Sequence, residues 1–181
     1  MTNEELYAQE LKQSEIDHHT PTAGAMTGHI ISNLLIHSLK ISQAKFFAKG
    51  PAALFLEKFA NQWLDYEIAE FNRLNQLLTD NSEAIPTTTK QLTEFSMLEE
   101  NGADKYLKGN EQLFQLVKDF DTQTLFITKA IKLAQKEDWP ELGANLSHLL
   151  AWIKEQIAKA QRFLNHEVRE GLYNEKDDDD F

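Results

Sequence analysis

The sequence contains no cysteine and few residues that break helices. Without cysteine, disulfide bonds, a thiol nucleophile and a cysteine-bound zinc site are excluded, and the absence is typical of a reducing cytoplasm. The 181 residues include only seven glycines and four prolines. Leu, Ala, Gln, Glu and Lys are abundant, which favours an all-α fold. The length is sufficient for one domain with a sizeable core.

Targeting signals and positive charge are scarce as well. The N-terminus MTNEELYAQELKQ has no basic stretch followed by an apolar run, so we expect no signal peptide. No apolar stretch is long enough to cross a bilayer, so we expect no membrane partner. The net charge of −11 argues against a generic nucleic-acid-binding surface.

The longest uninterrupted helical pattern runs from about residue 54 to residue 79. It lacks Pro and Gly, and its apolar residues recur at steps of three and four, as a long buried helix requires. This apolar band comprises Phe55, Leu56, Phe59, Trp63, Leu64, Ile68, Phe71, Leu74 and Leu78. A polar line runs beside the band and consists of Glu57, Asn61, Asp65, Asn72 and Gln76. This line is either a solvated face or a surface that meets a specific partner.

Three further long helices are predicted around this one. Their approximate ranges are 26–49, from 104 or 110 to 136, and 140–170. A short helix ending near residue 95 is predicted in the connection between the second and third long helices, with a Thr as its cap. Four long helices with a small helix in a long connection describe a ferritin-like four-helix bundle with a crossover.

Both ends of the chain differ in composition from the bundle. Residues 1–22 are predicted to form an N-terminal arm, with a short helix over residues 3–14 and then a turn-rich link. The bundle is predicted to occupy residues 23–170. Residues 171–181 are predicted to form an acidic tail, and the charge run at 175–181 within it is predicted to lack fixed structure.

The arm contains a candidate metal site. Glu15, Asp17, His18 and His19 place four nitrogen and oxygen ligands within five residues, and such a set could hold a divalent cation, iron or another. The alternative is that adjacent imidazoles in a flexible arm bind nothing tightly, because a tight site needs convergent geometry and supporting contacts. A divalent cation is therefore the only cofactor that the sequence allows us to name.

Three segments of the sequence together resemble the Dps family, the bacterial mini-ferritins. They are the run SQAKFFAKG at 42–50, the long helix that follows it, and the run PTTTKQLTEF at 86–95. The resemblance covers the chain from the first long helix to the end of the fourth. It implies a hollow shell of twelve subunits, iron oxidation and storage, and the binding and protection of DNA under stress. A cytoplasmic, nucleoid-associated protein would be expected.

The resemblance also implies where iron would be oxidised, and those positions are altered here. The family places its ferroxidase site between two subunits, with imidazole and carboxylate ligands. The corresponding positions in this chain are Lys45, Glu57, Asn61, Asn72 and Gln76. Amide oxygens are poor neutral ligands and an ammonium group repels a cation, whereas iron needs anionic oxygens and neutral imidazoles. We therefore assign no catalytic residue and expect Lys45 to pair with Glu57.

Several functions fit these features. We expect a DNA-protecting shell without the usual ferroxidase centre. One alternative is an iron-storing mini-ferritin that oxidises ferrous iron at relocated ligands, and another is a helical scaffold with neither activity. The acids Glu137, Asp138 and Glu141 near the start of the last helix either line a three-fold ion entrance of the shell or only cap that helix.

DNA binding by such an acidic subunit requires a specific arrangement. Residues 1–19 contain five acidic residues and one lysine, Lys12, so direct neutralisation of phosphate by the arm would be weak. A divalent cation held by the arm could instead share its coordination with phosphate oxygens. We therefore predict cation-bridged DNA binding through Lys12, His18 and His19.

Overall fold

The computed structural model describes residues 1–173, and this part of the chain is all-α, as predicted. Its helices are α1 (Asn3–His19), α2 (Ala23–Phe47), α3 (Pro51–Asp80), α4 (Thr89–Phe95), a 3₁₀ helix (Gly102–Tyr106), α5 (Gly109–Lys136) and α6 (Pro140–Phe163). The charge run that we predicted for the tail lies outside the described residues. Within residues 1–173, no helix combines the length and apolar character needed to span a bilayer.

The four long helices α2, α3, α5 and α6 pack around one apolar core. Short turns join α2 to α3 and α5 to α6, so that each pair is antiparallel. The connection from α3 to α5 contains α4 and the 3₁₀ helix, and α4 packs on α2. This is the ferritin-like bundle with a crossover that the sequence predicted.

The two short turns depend on residues with unusual backbone conformations. Gly50 has a φ of 71° and is followed by Pro51 as the first residue of α3. A positive φ suits glycine, and proline is preorganised for the first helical turn. At the other turn, Asp138 has a φ of 55° shortly before Pro140 begins α6. Each turn therefore reverses the chain within a few residues.

Aromatic side chains fill the centre of the bundle. Trp63 is 1% exposed and meets Phe120 edge-to-face, with 5.1 Å between ring centroids. Its indole Nε1 donates a hydrogen bond of 3.0 Å to the side-chain oxygen of Gln156. The polar atom of this large buried side chain is thus satisfied.

Two predicted helix ends were wrong. α1 continues to His19 instead of ending near residue 14, because no Gly or Pro interrupts it before Pro21. Thr20 then leaves the helical conformation, as residues before proline tend to do. α6 ends at Phe163 instead of residue 170, since Asn165 has a left-handed φ of 59°. Leu172, which follows the end of α6, is buried and belongs to the core.

The face of α3 that is buried also differs from the prediction at one turn. Ile68 was assigned to the apolar band, but it is 41% exposed. Glu67, which we assigned to no contact, is 1% exposed. The interior of the bundle at this level therefore accepts a carboxylate, for which a partner must exist.

Candidate functional site

α1 carries the predicted DNA-binding and metal-ligating residues outside the bundle. Thr2 caps the helix by accepting a hydrogen bond of 3.2 Å from the amide of Glu5, whose carboxylate in turn accepts from the amide of Thr2 at 2.8 Å. No residue of α1 is buried. This reciprocal capping fixes the start of the helix, so α1 is an ordered element that presents its side chains at defined angles.

The two adjacent histidines of α1 point in different directions. His18 lies against the bundle, with its ring centroid 5.0 Å from that of His29 and 4.8 Å from that of Phe95. His19 is exposed. Burial is the main cause that lowers the pKa of His29, the nearby His18 lowers it further, and a hydrogen bond with the backbone of Phe95 opposes them. His18 therefore fastens α1 to the bundle, whereas His19 faces outward.

Each histidine of α1 keeps one ring nitrogen available. Nδ1 of His18 donates to the carbonyl oxygen of Ser14 at 2.6 Å, and Nδ1 of His19 donates to that of Glu15 at 2.8 Å. Nε2 is therefore the potential ligand atom in both rings. In His18 this atom is buried and has no hydrogen-bond partner among the described residues.

The four predicted ligands of the arm are divided between two faces. Asp17 and His18 line a cavity of about 40 Å³ between α1 and the bundle, and Asp17 accepts a hydrogen bond from Gln13 at 2.9 Å. Glu15 and His19 are exposed and are four residues apart, hence on one side of the helix. Within residues 1–173, no three His, Asp or Glu side chains are gathered around one ion position.

Lys12 shares the outward face of α1 with Glu15 and His19. The three residues follow an i, i+3, i+7 spacing and all are exposed. Of the predicted DNA-binding residues, the structure therefore brings Lys12 and His19 together and directs His18 elsewhere. An outward pair of one carboxylate and one imidazole leaves most of a cation's coordination open to other oxygens.

The positions predicted to correspond to the family's ferroxidase site lie on α2 and along one face of α3. Glu57, Asn61, Asn72 and Gln76 are exposed. Nζ of Lys45 donates to the side-chain oxygen of Asn61 at 2.6 Å, so the predicted pairing of Lys45 with Glu57 was wrong. Asn61 lies one helical turn from Glu57, and its neutral oxygen accepts the ammonium proton directly. These side chains offer a single carboxylate, which does not fit an iron site.

The acids near the start of α6 have separate environments. Glu137 accepts a hydrogen bond of 2.8 Å from the amide of Ala23, the first residue of α2. It therefore caps α2 within the subunit, although its role was predicted for α6 or for an ion entrance. Asp138 and Glu141 are exposed, and their place at a shell entrance stays a prediction.

Sequence reasoning missed a buried ion pair inside the bundle. Nδ1 of His37 on α2 lies 2.6 Å from Oε1 of Glu67 on α3, and Ser38 donates to Oε2 of the same carboxylate at 3.2 Å. His37 and Glu67 are 0% and 1% exposed. No local pattern in the sequence identifies Glu67 as the partner of His37, because the two residues are 30 positions apart.

Each residue of this pair shifts the pKa of the other. Burial lowers the pKa of His37, but the charge and hydrogen bond of Glu67 outweigh burial, and the pKa is raised overall. Burial raises the pKa of Glu67, and the charge and hydrogen bond of His37 offset that rise only in part. Nearby, Asp119 pairs with Lys40 at 2.8 Å. The interior of the bundle thus holds two coupled ionisable groups, His37 and Glu67, close to the ion pair of Lys40 and Asp119.

Comparison with solved structures places the fold among the ferritin-like bundles of one family. The DpsB protein of Lactococcus lactis MG1363 is 36% identical, and the match covers 91% of this chain and 95% of that one, with a TM-score of 0.85. The DpsA protein of the same strain is 31% identical, with 93% and 99% covered and a TM-score of 0.87.

More distant structures share the fold. Dps from Listeria monocytogenes is 19% identical, with 82% of this chain and 97% of that chain covered and a TM-score of 0.78. No protein-family model matches the chain, and no curated protein sequence matches it either. The structural matches at above 30% identity over nearly the whole length are sufficient: the chain belongs to the Dps family.

Proposed function

We propose that this protein binds and protects DNA as a cytoplasmic, nucleoid-associated shell protein that lacks the usual iron-oxidising centre. The observation that carries the proposal is the chemistry of the exposed α3 face. On that face, amide side chains and an asparagine bound by a lysine stand at the positions predicted for iron ligands, in a chain that keeps the family's fold. Gel retardation of duplex DNA tests the binding and separates this proposal from a helical scaffold.

The DNA contact that we propose is made by the outward face of α1. Lys12 supplies one positive charge, and Glu15 with His19 offers one oxygen and one nitrogen to a divalent cation. A cation held there could complete its coordination with phosphate oxygens. This arrangement would let a subunit with a net charge of −11 approach a phosphate backbone.

Iron oxidation at the two-fold position is expected to be slow. With Lys45, Glu57, Asn61, Asn72 and Gln76 present, we expect peroxide to oxidise ferrous iron at neutral pH little faster than buffer does. Restoring the ligand types by Lys45→His, Glu57→His, Asn61→Asp, Asn72→Asp and Gln76→Glu together should raise the rate. The rate is followed by the ferric absorbance.

Two outcomes would change this interpretation. Rapid oxidation by the unaltered protein that Glu57→Ala abolishes would contradict our interpretation of the site. Rapid oxidation that survives Glu57→Ala would favour the iron-storing alternative with relocated ligands.

Assembly is supported by the exposed face of α3. Leu54 and Ile68 are 70% and 41% exposed, and they lie on the same side of the helix as Asn61 and Asn72. A helix face that mixes exposed large apolar residues with polar ones is suited to a contact between subunits. We propose that this face forms the two-fold contact of a dodecamer.

If this face of α3 forms the contact between subunits, a charge inserted there should lower the mass of the assembled particle. Ile68→Asp is expected to reduce the particle to smaller species, because a carboxylate would be buried without a partner at the contact. Thr128→Asp, at an exposed position of α5, is the matched control and should leave the mass unchanged. Light scattering at micromolar concentration measures both. A mass that shows the unaltered protein to be a monomer would contradict the proposal.

A further inference from the structure

One end of the bundle carries a cavity whose charge is opposite to that of the whole chain. It lies where the α2–α3 turn meets the 3₁₀ helix and the start of α5, and its volume is about 660 Å³. The lining includes Phe47, Lys49, Lys105, Tyr106, Lys108 and Gly109, and none of the residues that line it is acidic. In a chain with a net charge of −11, three lysines around one cavity require an explanation.

Backbone packing holds two of the lysines close to each other. A Cβ atom at Gly109 would lie 2.1 Å from the carbonyl oxygen of Lys49, so only glycine permits this approach. The α2–α3 turn and the first residue of α5 therefore touch through their main chains. Lys49 belongs to one side of this main-chain contact and Lys108 is the neighbour of Gly109, so the contact holds both lysines at the cavity.

Two aromatic rings form the wall next to the lysines. Tyr106 is 78% exposed and Phe47 is 44% exposed. Nζ of Lys105 lies 5.2 Å from the centroid of each ring, so that one ammonium group is shared by two cation–π contacts. An exposed tyrosine ring beside ammonium groups is a surface on which a flat, anionic molecule can stack.

The charges of the three lysines are available to a ligand. Among residues 1–173, the ion pairs involve other cations, namely His37, Lys40, Lys90 and Arg169. The nearest acid on α5, Glu111, accepts a hydrogen bond of 3.1 Å from the backbone amide of Lys108. The N-terminal end of α5, which opens here, adds partial positive charge to the same region.

We propose that this cavity binds single-stranded DNA, with Lys49 and Lys108 on phosphates and a base stacked on Tyr106. Stacking on a side chain requires an unpaired base, which a duplex does not offer. The volume of about 660 Å³ lies within the range of about 300–1,000 Å³ that is usual for organic ligands. The site is separate from α1, so it does not depend on the proposed duplex binding.

The test measures binding of a labelled oligothymidylate of about 16 nucleotides to the full-length protein by fluorescence anisotropy at low salt. The triple variant Lys49→Gln, Lys105→Gln, Lys108→Gln is expected to bind about ten-fold more weakly or worse. The matched control removes the same charge from the exposed Lys129, Lys132 and Lys136 of α5 and should bind like the unaltered protein. The salt dependence should become shallower by about 1.4 in slope, since about 0.7 is lost for each of the two phosphate contacts.

Stacking is tested separately from charge. Tyr106→Ala should weaken binding about five-fold or more, while Tyr106→Phe, which keeps the ring, should bind normally. Equal affinity of the lysine triple variant and its control would overturn the proposal, and so would an unchanged affinity of Tyr106→Ala.

Two further measurements identify the ligand and the surface that binds it. Thymidine monophosphate at the same nucleotide concentration should fail to displace the oligomer, and full displacement would indicate a mononucleotide site instead. Loss of binding in chelator would assign the strand to α1 and overturn the proposal, whereas absence of duplex binding alone would affect only the proposed function. If the triple variant does not assemble, acetylation of the unaltered protein is the deciding measurement. The oligonucleotide must then protect Lys49 and Lys108 from acetylation more than it protects the exposed Lys129.

Discussion

Replacing Glu67 by Ala is expected to lower the free energy of unfolding by about 3–5 kcal/mol, because removal of one partner leaves the other buried and uncompensated. The carboxylate accepts from His37 at 2.6 Å and from Ser38 at 3.2 Å, and its side chain is 1% exposed. Chemical denaturation at fixed protein concentration measures the change, since the proposed assembly would make stability depend on concentration. Asp65→Ala, at an exposed position of the same helix, should change stability little. A loss below about 1 kcal/mol for Glu67→Ala would contradict this account.

The same pair predicts how stability depends on pH. The pKa values of His37 and Glu67 are both raised above their usual values of 6.5 and 4.5, so the folded protein holds more protons than the unfolded chain. The contribution of His37 is therefore complete below pH 6.5 and is lost as the pH rises through its raised pKa. The unaltered protein should be less stable at alkaline pH than at pH 6.5.

The variant Glu67→Gln isolates this effect from other titrating groups. It removes the charge that raises the pKa of His37 while keeping an oxygen that can accept from Nδ1. The difference in unfolding free energy between the unaltered protein and this variant should shrink as the pH rises above 6.5. A difference that grows with pH would show that the pair is not the source.

Deleting residues 1–19 is expected to remove most duplex DNA binding. A chelator should weaken DNA binding by the unaltered protein to a similar degree. The reason is that the outward face of α1 joins Lys12 to a carboxylate and an imidazole that can share a cation with phosphate. Gel retardation at constant salt measures both. Lys12→Glu alone should matter less than either change.

The two histidines of α1 provide matched variants for this prediction. His19→Ala should weaken cation-dependent binding about ten-fold or more, as loss of a metal ligand commonly does. His18→Ala should affect mainly the docking of α1, because its ring lies on His29 and Phe95. If chelator has no effect and Lys12→Glu abolishes binding, lysine–phosphate contact is the mechanism and the cation bridge is excluded.

Local sequence determined most of the fold. We predicted helices from the spacing of apolar residues in α3, from the turn at Gly50-Pro51 and from the restart at Pro140. The structure places both ends of α3 and the start of α6 within a few residues of the predicted positions. These features succeed because they depend on neighbours along the chain: helical periodicity, proline geometry and caps. The larger errors were the ends of α1 and α6, where Pro21 and Asn165 act through backbone conformation.

The prediction that the family's iron ligands are replaced also rests on residue types, and it stays a prediction. Lysine and amide side chains have the same chemistry in any fold, so the poor fit of Lys45, Asn61, Asn72 and Gln76 to iron follows from residue types alone. The hydrogen-bond partners of these side chains do not follow from residue types. Whether Lys45 would reach Glu57 or Asn61 depended on how α2 lies against α3, and the structure selects Asn61.

Tertiary structure decided the features that combine residues from different helices. His37 and Glu67 are 30 residues apart in the chain, and only the packing of α2 on α3 makes a buried carboxylate tolerable. Likewise, the docking of α1 directs His18 inward and His19 outward, although the two are adjacent in sequence. Sequence specifies which groups are present and which local conformation they favour. Burial, and with it the strength of every charge interaction, is set by elements that meet only after the chain has folded.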